Sequence, residues 1–446
     1  MKKLMVLLLA VMLLVTAAAV SAENKADGVD LKALDASLDH DITILIWSKD
    51  SVGEKDTSRG KWYKQMADEL SAQFEHVNYE FVYQGGYSET NAKVMAAAVA
   101  GELPHIWQTE ESTVKGFAAI AADLNEWMPS AVVDDYMDGL LSDSLHDGDR
   151  LIGAPAARSN PVLFVNNEVL AEVGWTGDMI KTNDDMFQCA KDIYEKTGKP
   201  GFAIWWDTDL WNWESAVYAD GGQILTDDGQ HPSFGKDYDY VGAKYALRIQ
   251  EGLKEGYVTS FYSSPEPYDQ CTLALAKGDV GILLISSNSM KKRYDAAADY
   301  GYTLSTYVQP AGEGGIHVVS GGSCWVLADS KSETEKLFAG GWLSYIASVE
   351  KMVERSQITG DMMVTQSALD SEGGKALLEA LPGLQAIYDS VPYLHARPNT
   401  PYWSEMYSYG VDKFEQLCLN PDKTDVYAMI DDLELKFQQI IDDNAW

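Results

Sequence analysis

Ile42-Thr43-Ile44-Leu45-Ile46-Trp47 is followed, after a polar stretch, by Trp62, Tyr63, Met66, Leu70 and Phe74. The first run is short, apolar and rich in β-branched side chains, which predicts a buried strand. The second recurs at helical spacing and predicts an amphipathic helix. Working outward, residues 79–83 read as a second strand closed by Gly85-Gly86. Residues 91–100 read as an Ala-rich helix stopped by Gly101, and Ile106-Trp107 as a third short strand. Strands alternating with helices are the signature of an α/β fold.

The alternation continues. Leu151-Ile152 and Val162-Leu163-Phe164-Val165 predict strands around Pro155 and Pro161. Met186, Phe187, Ala190, Ile193 and Tyr194 mark a helix that stops at Gly198, before a strand at Phe202-Ala203-Ile204. Residues 241–255 are helical, 280–285 form an apolar strand, and Trp325-Val326-Leu327 forms another. Ser332-Glu333-Thr334-Glu335 is a capping box that opens a helix to about Ala347. Past Gly360 the pattern is almost wholly helical, and there is no internal repeat or long linker.

The 446 residues, 46% hydrophobic and 23% charged, suffice for two domains with separate cores. A formal net charge of −34 makes nucleic acid and anionic membrane surfaces poor partners. Lys2-Lys3, an apolar run over 4–15 and small residues at Val20-Ser21-Ala22 predict a signal peptide over residues 1–22, cleaved after Ala22. The product is expected to be periplasmic or secreted, and soluble after cleavage. Cys189, Cys271, Cys324 and Cys418 are widely spaced and read as buried free thiols.

No dinucleotide or phosphate-loop glycine motif and no His-Glu-x-x-His is present, and the seven histidines are scattered. Glu110-Glu111 does not form a glycosidase pair, because adjacent strand residues face opposite ways. Trp205-Trp206-Asp207-Thr208-Asp209-Leu210-Trp211-Asn212-Trp213 interleaves four indoles with acids and an amide. Indole faces stack on sugar rings while carboxylates and amides bond their hydroxyls. A buried aromatic corner at a helix start gives the same residues a structural role.

A series of motifs carries a resemblance. Tyr83-Gln-Gly-Gly-Tyr-Ser-Glu-Thr-Asn91, Lys93-Val-Met-Ala-Ala-Ala98, Gly101-Glu-Leu-Pro-His-Ile-Trp-Gln108 and Gly153-Ala-Pro155 stand in order. Asn160-Pro-Val-Leu-Phe-Val-Asn166, Gly321-Gly-Ser-Cys-Trp-Val-Leu327 and Gln357-Ile-Thr-Gly360 continue it. The series resembles the family 1 extracellular solute-binding proteins of ABC transporters, in their sugar and glycerol-3-phosphate-binding branch. The resemblance implies a two-lobed periplasmic-binding-protein fold (type II-like), with discontinuous lobes, a hinge and a helical C-terminal region. Lobe 1 would comprise 41–155 plus 308–357, and lobe 2 158–305 plus 360–446. It implies a non-catalytic monomer without cofactor or metal, which binds a small carbohydrate and hands it to permease subunits. A phosphorylated polyol is the alternative ligand, and a secreted carbohydrate-active hydrolase or an exported structural protein the alternative function.

Carried over by position, the resemblance puts Tyr87, Glu111, Ser159, Ser287, Gly322, position 361 and Arg397 in the cleft. Arg158 and Asp361 stand where the glycerol-3-phosphate branch has a small hydroxyl residue and a Tyr. Trp205 and Trp206 join them as ring faces for a sugar. A carboxylate at 361 would repel a phosphate by about 4 kcal/mol at about 4 Å and an effective dielectric of 20, so a neutral sugar is expected over glycerol-3-phosphate.

Overall fold

The computed structural model describes residues 24–53, 58–398, 400 and 402–444, and of residues 206–209 only the backbone. The predicted signal peptide, residues 1–22, lies outside the described residues. Ten strands carry the architecture: β1 Ile42–Ser48, β2 Val77–Tyr83, β3 Ile106–Glu110, β4 Ala154–Ser159, β5 Pro161–Asn166, β6 Phe202–Ile204, β7 Val258–Ser260, β8 Ile282–Ser286, β9 Leu304–Val308 and β10 Gly321–Leu327. They form two five-stranded sheets, ordered β2-β1-β3-β10-β4 and β9-β5-β8-β6-β7. In the first, β1, β2 and β3 are parallel and β10 runs antiparallel to both its neighbours. In the second, β8, β6 and β7 are parallel and β5 runs antiparallel to β9 and β8.

Two cores are present: one runs from the first sheet to one face of the second, through Phe164, Leu283 and Ile285, and the other fills the opposite face of the second sheet, through Leu163, Val165, Ile282 and Leu284. On the first sheet, the helix Ser58–Ser71 packs on β2 and against the helices Glu333–Ala347 and Val349–Thr359, of which Glu333–Ala347 also reaches β1 and β10. Trp325 lies edge-on to Tyr63 at 5.1 Å and to Trp342 at 4.9 Å. On the second, the helix Trp206–Ala219 lies against β8, and the long helices Trp403–Leu419 and Val426–Asn444 close over it. Trp213 fills that core, edge-on to Phe234 at 5.2 Å.

The chain changes sheet within a few residues. β4 belongs to the first sheet and β5 to the second, with only Asn160 between them. The switch thus falls at Asn160, later than the 155–158 limit expected, because Arg158 and Ser159 pair with β10. The return toward the second sheet is also later than residue 360. Helices Gln366–Asp370 and Glu372–Ala380 still pack on Val349–Thr359, and only Gly383–Ser390 reaches β9. Gly360 lies at the junction with φ +70°, and a Cβ there would stand 2.4 Å from the Lys291 backbone nitrogen, so only glycine allows this approach.

All four cysteines are free; Cys189, Cys271 and Cys324 are buried and Cys418 is half-buried. Among the described residues no helix is long and apolar enough to cross a membrane.

Candidate functional site

Where a parallel strand ends, the chain turns away and leaves a crevice for side chains. Lys49 follows β1, Tyr87 lies four residues past β2, and Glu110 ends β3. From the other sheet Trp205 follows β6, and Ser289 stands just beyond β8. Tyr407, on the helix Trp403–Leu419, and Arg397, on the segment before it, complete the walls. The resulting cleft has a volume of about 970 Å³.

Five of the expected residues line it: Tyr87, Ser159, Trp205, Gly322 and Arg397. Tyr87 is the first residue of its helix, with its hydroxyl 2.5 Å from that of Ser323 and Lys49 Nζ 4.9 Å from the ring centre. Trp205 stands edge-on to Tyr268 at 5.5 Å. Trp206 begins the next helix, and its side chain lies outside the described residues. Gly322 has φ +104°, and a Cβ would stand 2.5 Å from the Ala157 carbonyl oxygen. Its need for glycine therefore comes first from the bulged pairing of β10 with β4.

The remaining four are drawn away from the cleft surface, each for a physical reason. Glu111 begins a 3₁₀ turn where β3 stops, so it points into the protein while Glu110 points at the cleft. A carboxylate buried there needs a partner. Arg158, equally buried, supplies one at 2.6 Å, and Ser144 and Ser320 donate to Glu111 at 2.9 and 3.1 Å. Burial alone would raise the Glu111 carboxyl, but the Arg158 guanidinium outweighs it and holds it below its ordinary value. Ser287 is buried at the change of sheet, where its N–H donates to the Asn160 carbonyl at 3.0 Å and its hydroxyl accepts from the Asn160 N–H at 3.3 Å. Asp361 is wholly buried and is not the bare carboxylate expected. Arg59 grips it through Nε and Nη2, both at 2.8 Å, and the Ser289 N–H donates to it at 3.1 Å.

Arg397 organises the opposite wall. Its Nε donates to Glu214 at 3.1 Å and its Nη1 to Glu110 at 3.3 Å, while its guanidinium lies 4.8 Å from the Tyr407 ring centre and 5.2 Å from that of Trp211. One guanidinium cannot neutralise both the buried Glu214 and the partly exposed Glu110. Burial pushes Glu214 up to about 7 against the pull of Arg397, and raises Glu110 as well. Arg59 is divided in the same way between Asp361 and, at 3.5 Å, Asp50. Burial would raise Asp50, but Lys49 and Arg59 bring it down to about 2.

Lys49, Arg59, Glu110, Glu214, Tyr268 and Tyr407 are thus site residues that sequence reasoning missed. The strand ends that bring Tyr87 to the cleft also bring Lys49 and Glu110 there. No local signal marks Arg59, whose partner Asp361 is 302 residues away. Among the described residues no three metal-binding side chains cluster, although His317 Nδ1 and His395 Nε2 stand 2.6 Å apart.

Comparison with known proteins fits this geometry. The chain is 24% identical over 343 residues to the sn-glycerol-3-phosphate-binding periplasmic protein UgpB of Pectobacterium atrosepticum, covering 73% of this chain and 74% of that one. In fold it is similar to the cyclic alpha-maltosyl-1,6-maltose binding protein from Arthrobacter globiformis, with TM-score 0.73, 22% identity, and 91% of this chain and 100% of that one covered. It is also similar to UgpB from Mycobacterium tuberculosis in complex with glycerophosphocholine, with TM-score 0.76, 16% identity and the same coverage. The family model for bacterial extracellular solute-binding proteins matches residues 65–382, and the chain, with its two sheets and the cleft between them, belongs to that family.

Proposed function

We propose that the protein captures an uncharged carbohydrate between its two lobes and delivers it to an ABC importer, without catalysing a reaction. The lobes are taken as the regions built on the two sheets, close to the limits expected from sequence but with switches at Asn160 and near Gly383. The protein acts as an exported monomer, freed of residues 1–22, and uses no nucleic acid partner.

One observation carries the choice of ligand. Every cation on the cleft wall already has a carboxylate: Lys49 has Asp50 at 3.0 Å, Arg59 has Asp361 and Asp50, and Arg397 has Glu110 and Glu214. A phosphate dianion needs uncompensated donors and positive charge. Sugar hydroxyls need donors and acceptors side by side, which these pairs supply, with Trp205, Tyr268 and Tyr407 as ring faces. Glycerol-3-phosphate is the second reading, supported by the UgpB relative.

A thermal-shift screen of sugars, polyols and glycerol phosphates, followed by calorimetry, separates the two. A ligand at about 100 times its dissociation constant stabilises by about 2.7 kcal/mol. Tight glycerol-3-phosphate binding with no response to any sugar refutes the proposal, and turnover of the bound sugar refutes the absence of catalysis. Ligand contacts to both lobes stabilise the closed form. The radius of gyration in solution scattering therefore falls on saturation; an unchanged profile argues against closure.

A further inference from the structure

Arg59 lines the cleft with only 13% of its side chain exposed. It is the second residue of the helix Ser58–Ser71, which packs on the first sheet. Asp361, which holds it, follows the helix Val349–Thr359 and also accepts from the Ser289 N–H beyond β8, in the second sheet. The carboxylate therefore fixes Arg59 against both halves of the molecule at once. A guanidinium has five N–H groups. Nε and Nη2 are engaged by Asp361 and one Nη1 hydrogen by Asp50, which leaves two for the cleft.

We infer that Arg59 is a ligand-reading, specificity-determining residue whose charge is masked by Asp361 and Asp50, so that it donates to neutral oxygens and rejects anions. Asp361 is a positioning residue that acts through Arg59. This inference rests on the uncharged-ligand reading of the cleft. It goes beyond it by assigning the exclusion of anions to one charge cluster.

The test uses sn-glycerol-3-phosphate and inorganic phosphate as probes, with calorimetry on the full mature chain. Asp361→Asn keeps the shape and removes the masking charge; the affinity for both anions rises at least tenfold over wild type. Adding Arg59→Gln to that variant abolishes the gain, which a merely structural role of Asp361 would not produce. Thermal melts establish that each variant is folded. Should Asp361→Asn fail to fold, Asp50→Asn unmasks Arg59 from its other side and gives a gain in the same direction, again abolished by Arg59→Gln. Anion affinity unchanged in a folded variant overturns the inference, as does a gain that survives Arg59→Gln. Tight phosphate binding by the wild type overturns this inference and the uncharged-ligand reading together. A gain that depends on Arg59, in a protein that answers to no sugar, supports this inference while the carbohydrate reading falls.

Discussion

Glu214 and Glu110 share one guanidinium, and replacing Glu214 by glutamine tests whether one of the two carboxyls keeps its proton. Burial pushes Glu214 from the ordinary 4.5 to about 7, against Arg397 and with the Glu110 charge adding to the rise. A carboxyl raised on folding binds its proton more tightly in the native chain. Its stabilising contribution is complete below pH 4.5 and is lost as pH rises through about 7. At 1.36 kcal/mol per pH unit, that gap amounts to about 3 kcal/mol. Glutamine retains an acceptor for Arg397 Nε at 3.1 Å but cannot ionise. Urea unfolding of both proteins, followed by circular dichroism and tryptophan fluorescence across pH 4.5 to 8, isolates Glu214 together with its coupling to Glu110, since the titrations away from Arg397 are common to the pair. The wild type loses about 3 kcal/mol more than Glu214→Gln over that range. Parallel pH profiles would refute the reasoning, for they would mean that Glu214 is already ionised at pH 5 and that Arg397 serves both acids.

Trp205→Ala weakens binding of the best sugar from the thermal-shift screen by about 1–3 kcal/mol in calorimetry; unchanged affinity with a lowered melting temperature would assign the ring to packing with Tyr268. Gly322→Ala lowers stability by about 2 kcal/mol or more in thermal or urea unfolding, since its positive φ and the Ala157 carbonyl both oppose a Cβ; a melt equal to wild type would show that β10 can move aside. Because all four thiols are free, reductant leaves the melting temperature unchanged, and a fall on reduction would contradict that assignment.

The fold was legible wherever local period decided it. The β1 run and the helix after it are set by side-chain spacing, as is the capping box at Ser332, whose hydroxyl and Glu335 carboxylate exchange bonds as expected. The tryptophan segment was legible only by halves. Residue types announced aromatic chemistry, but helical geometry sends Trp213 into the core, with its indole N–H on the Gly242 carbonyl, and leaves Trp205 and Trp211 at the cleft. The charges were least legible. Glu111, Arg158 and Asp361 are the residue types of a binding site, and position along the chain matched. Each nevertheless meets its counter-charge inside the protein, across separations no local pattern encodes. A buried carboxylate without a partner is costly enough that the fold supplies one, and that supply decides which acids face a ligand.

The same pairings bear on how a chain of net charge −34 would close on the uncharged solute proposed for it. Repulsion between acidic lobes opposes closure, and an anionic ligand would add to it. At the cleft, however, carboxylates from both halves converge on cations: Glu110 ends a strand of the first sheet, Glu214 lies on a helix packed against the second, and Arg397 joins them. Asp361 likewise ties Arg59 to the Ser289 backbone across the junction. A hydroxyl that accepts from Arg397 or Arg59 therefore gains a contact braced on both sheets. Closure then needs no charge from the ligand, only oxygen atoms placed to accept from both guanidinium groups, which a sugar ring carries and a hydrocarbon does not.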